Sequence, residues 1–527
     1  MALPPIVPEP TLPEITSAAE GTQKFRSQMG HISRHSAVFF AGTMFTAAAG
    51  YVFKVYVARR LGAEALGVFT LGMTMVGFLG VFNALGLPQS AVRFVALYKA
   101  TGNYEALRSF MAHAIGLLLT ANLVLGALML TAGPWVAQHV YHTPALVQFL
   151  PLFALLMLSG TLTGFFGQVL QGYKDVSRRT VITNFIGTPL MMVLSVILIE
   201  LDFGLRGYIS AQVASGAVVF TLLTAVVWHL TPAAARQRAG PVAKLEGQVV
   251  FFGTAVFGVA LLEFLLAQID KVLIGAYINA KQVGIYSVAM AIVAFVPVAL
   301  QSVNQIFSPT IADLHARGEQ ALLARLFQTL TKWILGLTSP LATVVIVFSK
   351  PLMQMFGHDF EAGWIVLVIG TLGQLINCAV GSVGYLLLMS GNQKRLVKIQ
   401  MVMATVVVTL NVALIPALGI MGAAIASAVT NALSNLWYLH EVKKALHMSP
   451  YNRGYSRLIP AVLSAIGVAL LIRMLSPSAV PPWLIIGGAI GLCYLALVGV
   501  SVSMGLDSDD RLIADAIWGR LRGSFSK

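Results

Sequence analysis

The sequence predicts an all-α polytopic membrane protein of about fourteen transmembrane helices, built as two parallel-related six-helix lobes with two C-terminal helices appended. Three observations lead there. Hydrophobic residues fill 57% of the 527 positions and charged residues only 10%, with a mean hydropathy of +0.82, whereas soluble domains are charged at about a quarter of their positions. Apolar runs of about 20 residues, enough to cross a bilayer, recur along nearly the whole chain, and the connectors are too short for a large soluble domain. The basic residues behind the formal net charge of +14 fall chiefly on alternate connectors, a bias that membrane topology explains without any nucleic acid.

In order, helices are expected at about 36–58, 67–90, 109–132, 147–169, 179–200, 205–230, 248–274, 283–305, 326–349, 363–389, 396–416, 419–440, 457–475 and 483–505. Residues 1–33 hold Pro4, Pro5, Pro8, Pro10 and Pro13 and no apolar stretch of the signal-peptide kind, so a flexible cytoplasmic tail is expected there. The expected division is then an N-lobe over 34–231, a cytoplasmic linker over 232–247, a C-lobe over 248–445, the appended helices over 446–506 and a cytoplasmic tail over 507–527. Pro189, Pro297 and Pro340 lie inside expected helices and mark candidate bends. Cys378 and Cys493 are the only cysteines, both inside apolar runs, and read as small buried hydrophobes.

Placing the N-terminus inside puts basic clusters on every inner connector, while the outer connectors hold only Arg59, Arg60, Arg206, Lys281, Lys350 and Arg473. Both termini are therefore expected in the cytoplasm, with the chain multi-pass in the cytoplasmic (inner) membrane.

A shift of 217 residues superposes two segments. Lys54-Val55-Tyr56-Val57 falls on Lys271-Val272-Leu273-Ile274, and Leu61-Gly62-Ala63 through Phe69 falls on Ile278-Asn279-Ala280 through Tyr286. With a small gap, Leu170-Gln171-Gly172 resembles Met389-Ser390-Gly391, and Gly204-Leu205-Arg206-Gly207 resembles Gly419-Ile420-Met421-Gly422. The matches run in order, so helices 1–6 and 7–12 read as two copies of one unit. Six is even, so both copies enter from one side and are related by an axis along the membrane normal, a plan that places a substrate path between them.

The run Ala58-Arg59-Arg60-Leu61-Gly62-Ala63-Glu64-Ala65-Leu66-Gly67-Val68-Phe69, together with Ile269-Asp270-Lys271-Val272-Leu273-Ile274-Gly275 leading to Val283-Gly284-Ile285-Tyr286-Ser287-Val288-Ala289, resembles the polysaccharide transporters. These belong to the multidrug/oligosaccharidyl-lipid/polysaccharide exporter superfamily, which includes the O-antigen-type lipid-linked oligosaccharide flippases. The resemblance covers about 35–445. It implies a V-shaped pair of lobes that moves polyprenyl-pyrophosphate-linked glycan across the membrane by alternating access, for cell-surface polysaccharide biosynthesis. The implied partners are that glycan lipid, membrane lipid, and a polysaccharide polymerase with chain-length proteins. No nucleic acid and no cofactor are expected, apart from H+ or Na+ as a coupling ion.

Such a substrate carries an anionic pyrophosphate, which a sheltered cation attracts more strongly than one in bulk water. Lys54, deep in the first helix, is the first candidate for binding it, although the side chain is long enough to snorkel to the outer surface instead. Lys271 is at the matching depth of the second copy, with Asp270 beside it. Arg59 breaks the charge rule at an outer end, either as a flanking anchor or as a contact for the head group. Glu263 and Asp270 are seven apart, on one stripe of their helix; carboxylates there suit ion coupling, or act as structural partners of a lysine. A charge inside a span costs about 2.5 to 3.5 kcal/mol on insertion scales, so each of these residues needs a wet cavity or a protein partner.

An ion-coupled small-molecule or drug antiporter of the same fold is the alternative, but a path for cations should be lined chiefly with acids. An enzyme would need a larger loop to hold catalytic groups, and no Walker loop occurs. His139 with His142, and His358 with Glu361, read as exposed loop residues rather than metal ligands.

Overall fold

The computed structural model describes residues 18–84, 86–233, 247–452, 454–476 and 480–505, and no strand occurs among them. Helix α1 (Ala18–Ala84) breaks into two arms at Gly62, whose φ of 79° and ψ of 174° are closed to other residues. It is followed by α2 (Leu87–Ala100), α3 (Tyr104–Thr131), α4 (Leu150–Gly172), α5 (176–203) and α6 (Gly204–Leu230). The second half consists of α7 (Gly247–Tyr277), α8 (Ala280–Val293), α9 (Val298–Ala316), α10 (Gln320–Val347), α11 (Trp364–Val380), α12 (Val383–Met389), α13 (Gln393–Leu418) and α14 (Ile420–Leu446). Helices α15 (Tyr455–Leu475) and α16 (Pro482–Ser503) close the chain.

Side-chain caps start several of these helices. Asn103, Asp175 and Asn279 accept from the backbone N–H three residues on, at the heads of α3, α5 and α8. Among the described residues nine helices are long and apolar enough to cross a membrane, or ten if α8 and the start of α9 form one span. That is fewer than the fourteen expected. Part of the difference is that two of the nine, Ala49–Asn83 and Val176–Leu230, each contain a sharp break, at Gly62 and at Leu201–Asp202.

Other expectations shift in detail. The tail expected over 1–33 is helical from Ala18 onward, because α1 continues below the first apolar run; residues 1–17 lie outside the described residues, as do most of the 232–247 linker and the whole 507–527 tail. The helix expected to end at 90 is interrupted between Ala84 and Leu87, where Gly86 takes a left-handed conformation. Of the expected bends, Pro297 sits in a four-residue break that turns α9 by 54° from α8. Pro340 lies within an uninterrupted α10.

The 217-residue correspondence reappears in space. Thr70 Oγ1 donates to Ser287 Oγ at 3.3 Å, and the two are 217 positions apart. A Cβ on Gly67 would overlap the Ala280 carbonyl, and one on Gly284 would overlap the Ala63 carbonyl; Ala63 and Gly67 correspond to Ala280 and Gly284 under the same shift. The second arm of α1 therefore crosses α8 at backbone contact about a local two-fold. The gapped match has the same character: Gly204 and Gly419 share one turn, with φ/ψ of 51°/−133° and 61°/−143°.

The apolar core divides unevenly. Around this crossing lies one core shared by both halves, from Val57 and Leu71 through Phe153 and Ile209 to Ile274, Tyr286, Val344, Val366 and Ile415. At the other end, away from Gly62, the core separates by halves, with a small satellite of Leu300, Ile334 and Cys378 beside two larger clusters. One joins α2, α3, α4 and α6 around Phe94, Phe110, Phe165 and Leu223; the other joins α9, α10, α12 and α14 around Phe307, Phe327, Leu386 and Val442. The halves thus meet at the Gly62 end and diverge below it.

Candidate functional site

The site lies where the shared core gives way to the divergence. Phe53 on the first arm of α1 and Phe69 on the second both pack against Tyr208, with ring centroids 6.3 and 4.9 Å away, so the arms fold back on one another at Gly62 and Lys54 stands near the level of Thr70. Lys54 is half-buried, and among the described residues it has no hydrogen-bond or ion-pair partner. Its ammonium lies within electrostatic reach of Lys271 on α7, its equivalent in the other half. Lys271 Nζ donates to Gln268 Oε1 at 2.7 Å, so the neighbouring carboxylate is not its direct partner.

Asp270 instead turns into the second half. It is 6% exposed, accepts the Tyr286 hydroxyl at 2.6 Å on one oxygen and takes the Lys271 backbone N–H at 2.7 Å on the other. The fully buried Tyr286 lies 3.4 Å from Ser427 Oγ on α14. Glu263, one stripe-repeat or roughly 10.5 Å further from the Gly62 end, is exposed. The stripe that carries both acids thus passes from packed protein to open space along a single helix. Across from it, α9 exposes Gln301, Ser302 and Gln305 beyond the 54° bend. Exposed amides and an acid on spanning helices line a hydrated crevice rather than hydrocarbon.

The two edges of this crevice differ. On one, Phe78 and Phe82 of α1 meet Phe264 and Phe257 of α7 with ring centroids 5.6 and 5.4 Å apart. On the other, Tyr51 packs edge-on against Phe295 and Phe356, but below that level α9 makes no comparable packing with α1 among the described residues.

Arg59 is exposed at the Gly62 end, where its Nε donates to the Met355 carbonyl in the connector after α10, at 2.7 Å. The bond joins the two halves. Arg60 turns the other way, reaching both oxygens of Glu200 at 2.6 and 2.7 Å, with Tyr56 donating to the same carboxylate at 2.7 Å. The structure therefore brings Lys54, Lys271 and Asp270 together, sets Glu263 below them and holds Arg59 apart. Sequence reasoning missed Tyr286, Ser427, the Thr70–Ser287 pair and Met355. Thr70 and Ser287 lie one residue beyond the gapless match and were within its reach; Ser427 and Met355 carry no local signal.

Residues 32–315 match the family described as polysaccharide biosynthesis protein. The chain belongs to this family. A relative in Haloferax volcanii described as the probable flippase AglR is 20% identical over 80% of this chain and 86% of its own. Among solved structures, the fold is similar to that of the lipid II flippase MurJ in an inward closed conformation, with a TM-score of 0.68, 15% identity and coverage of 88% of this chain and 98% of that one. It is also similar to an inward-facing multidrug resistance MATE family transporter, at a TM-score of 0.62, 16% identity and coverage of 78% and 98%. Family and fold make this a polysaccharide-biosynthesis protein of the polytopic membrane class.

Proposed function

We propose that the protein translocates polyprenyl-pyrophosphate-linked glycan across the cytoplasmic membrane by alternating access. The observation that carries this reading is Lys54, a half-buried ammonium within electrostatic reach of Lys271 and, among the described residues, with no anion paired to it, at the head of a crevice between two diverging halves. A sheltered cation lacking a counterion is poised to take one from a ligand, and a pyrophosphate supplies two adjacent negative groups. The less packed edge between α1 and α9 gives the lipid tail a way to stay in the bilayer while the head group moves. The positive-inside bias assigns the Gly62 end to the outside, so the crevice opens toward the cytoplasm and both termini lie there. In this scheme residues 34–231 and 248–445 are the rocking lobes, Arg59 fastens them on the outer side, and α15 and α16 are accessory.

Coupling to H+ or Na+ is assigned to Asp270 and Glu263. A polysaccharide polymerase and chain-length proteins are the natural recipients of the flipped lipid. The drug-antiporter reading draws on the same two acids and on the MATE-like fold, and it requires a cationic ligand. Reconstituted vesicles separate the two. Lys54→Ala should lower translocation of a polyprenyl-pyrophosphate glycan at least tenfold with expression and folding intact, whereas an organic-cation exporter should be unharmed or improved by it. Wild-type-like flipping by Lys54→Ala would overturn the assignment.

A further inference from the structure

The first half holds a second cavity, of about 600 Å³, between the second arm of α1 and helices α4, α5 and α6. No ionisable side chain lines it among the described residues. Its polar lining consists of hydroxyls and an amide, among them Ser159, Thr161, Thr163, Thr188, Gln212 and Ser215. Ser159, Thr161 and Ser215 already donate to backbone carbonyls of Leu156, Met157 and Gly187, which leaves the oxygens of Ser159 and Ser215 as acceptors, while that of Thr161 already accepts from Asn83 Nδ2 at 2.8 Å. Gln212 Nε2 and Thr163 Oγ1 are buried with no partner. A ligand that satisfies this lining must both donate and accept hydrogen bonds and carry no charge.

Met73, at the edge of the cavity, is exposed and lies three residues from Thr70 in the interlobe crossing. The cavity lining on α1 then runs through Val76 to Gly80. Along the α1 axis this lining runs from roughly 4.5 to 15 Å beyond Thr70, at 1.5 Å per residue, and Lys54 stands near the level of Thr70. That is the span of the first few sugars attached to a pyrophosphate held at Lys54.

We infer that this chamber is a neutral-glycan subsite that receives the uncharged sugars next to the pyrophosphate. The inference rests on the function proposed above. An isoprenoid tail offers no acceptor, so the buried Gln212 amide would stay unpaired. An organic cation would find no acid, and a uronic acid no counter-charge. A sugar hydroxyl both donates and accepts, and the C–H faces of the sugar ring suit the mostly apolar walls, to which Met73, Val76, Leu156, Met157, Met191 and Val219 contribute. Gly160 and Gly164 are part of those walls, and a Cβ at either would meet no atom within 4 Å. A side chain placed there enters the chamber without displacing the protein around it.

The test is equilibrium binding to the full chain in nanodiscs, with three probes: bare polyprenyl pyrophosphate, the same lipid bearing a neutral oligosaccharide, and the same lipid with a uronic acid as its first sugar. Gly164→Leu and Gln212→Leu should each weaken the neutral-glycan lipid at least tenfold and leave the bare lipid unchanged. Wild type should bind the uronic-acid lipid at least tenfold more weakly than the neutral one. Equal effects on bare and glycosylated lipid, or no effect on either, overturn the subsite, as does equal binding of the charged and neutral glycans. Lys54→Ala serves as the separate arm, because it should weaken the bare lipid too. If it does not, the head-group assignment fails whatever the chamber variants show.

Discussion

Lys54 and Asp270 illustrate two ways a membrane protein keeps an ionisable side chain. Asp270 is enclosed and given donors, so its surroundings already satisfy it; Lys54 is sheltered and, among the described residues, left without an anion. The sequence marked both as candidates because charges are rare in apolar runs, but it gave no sign of which was satisfied. That depends on Tyr286, sixteen residues away on the next helix, and on Ser427 on a helix far along the chain. Tyr286→Phe removes one of the donors to a buried carboxylate and should cost about 1–3 kcal/mol, read as a lowered midpoint of thermal unfolding in detergent. Asp270→Asn keeps the shape of the side chain while removing its charge. Its flipping rate should no longer respond to an imposed proton or sodium gradient, and a retained response in vesicles assigns Asp270 a structural role alone.

At the scale of elements, the crossing of α1 and α8 is where the two copies of the repeat touch. Gly67 and Gly284 let the backbones meet, since side chains there would strike the Ala280 and Ala63 carbonyls. Overpacking of this kind costs about 1–3 kcal/mol. Gly67→Ala and Gly284→Ala should therefore destabilise the protein by similar amounts, because the contacts are related by the local two-fold; thermal unfolding of each variant checks the equality. With their hydroxyls 3.3 Å apart, Thr70 and Ser287 are close enough for a disulfide between cysteines in their places. The doubly substituted Thr70→Cys/Ser287→Cys protein should lose translocation on oxidation and recover it on reduction. Undiminished flipping in the oxidised protein would show that the crossing does not open during transport.

For the whole molecule, the asymmetry of the core sets which end is closed. One shared core holds the Gly62 end together, while separate cores at the other end leave each half free to move as a body. Arg59 adds a single exposed hydrogen bond across the closed end. Such contacts contribute up to about 1 kcal/mol, enough to shift a two-state population roughly fivefold. Arg59→Ala should accordingly raise the fraction open at this end, measured as longer distances between spin labels on the 133–149 and 349–363 connectors. An unchanged distance distribution removes Arg59 from the closure.

The sequence by itself determined the membrane class, the expected sidedness and the twofold repeat, because hydropathy, charge bias and a 217-residue register are written along the chain and survive without knowledge of packing. It also placed Lys54 and Lys271 as equivalents, since a charge in an apolar run stands out. Only the tertiary structure decided that these two come within electrostatic reach of one another, that Asp270 is enclosed while Glu263 is not, and that Arg59 reaches Met355. Each of those facts depends on how helices distant in sequence are rotated and bent against one another, and in an almost uniformly apolar chain there is little periodic contrast between inward and outward faces to record it.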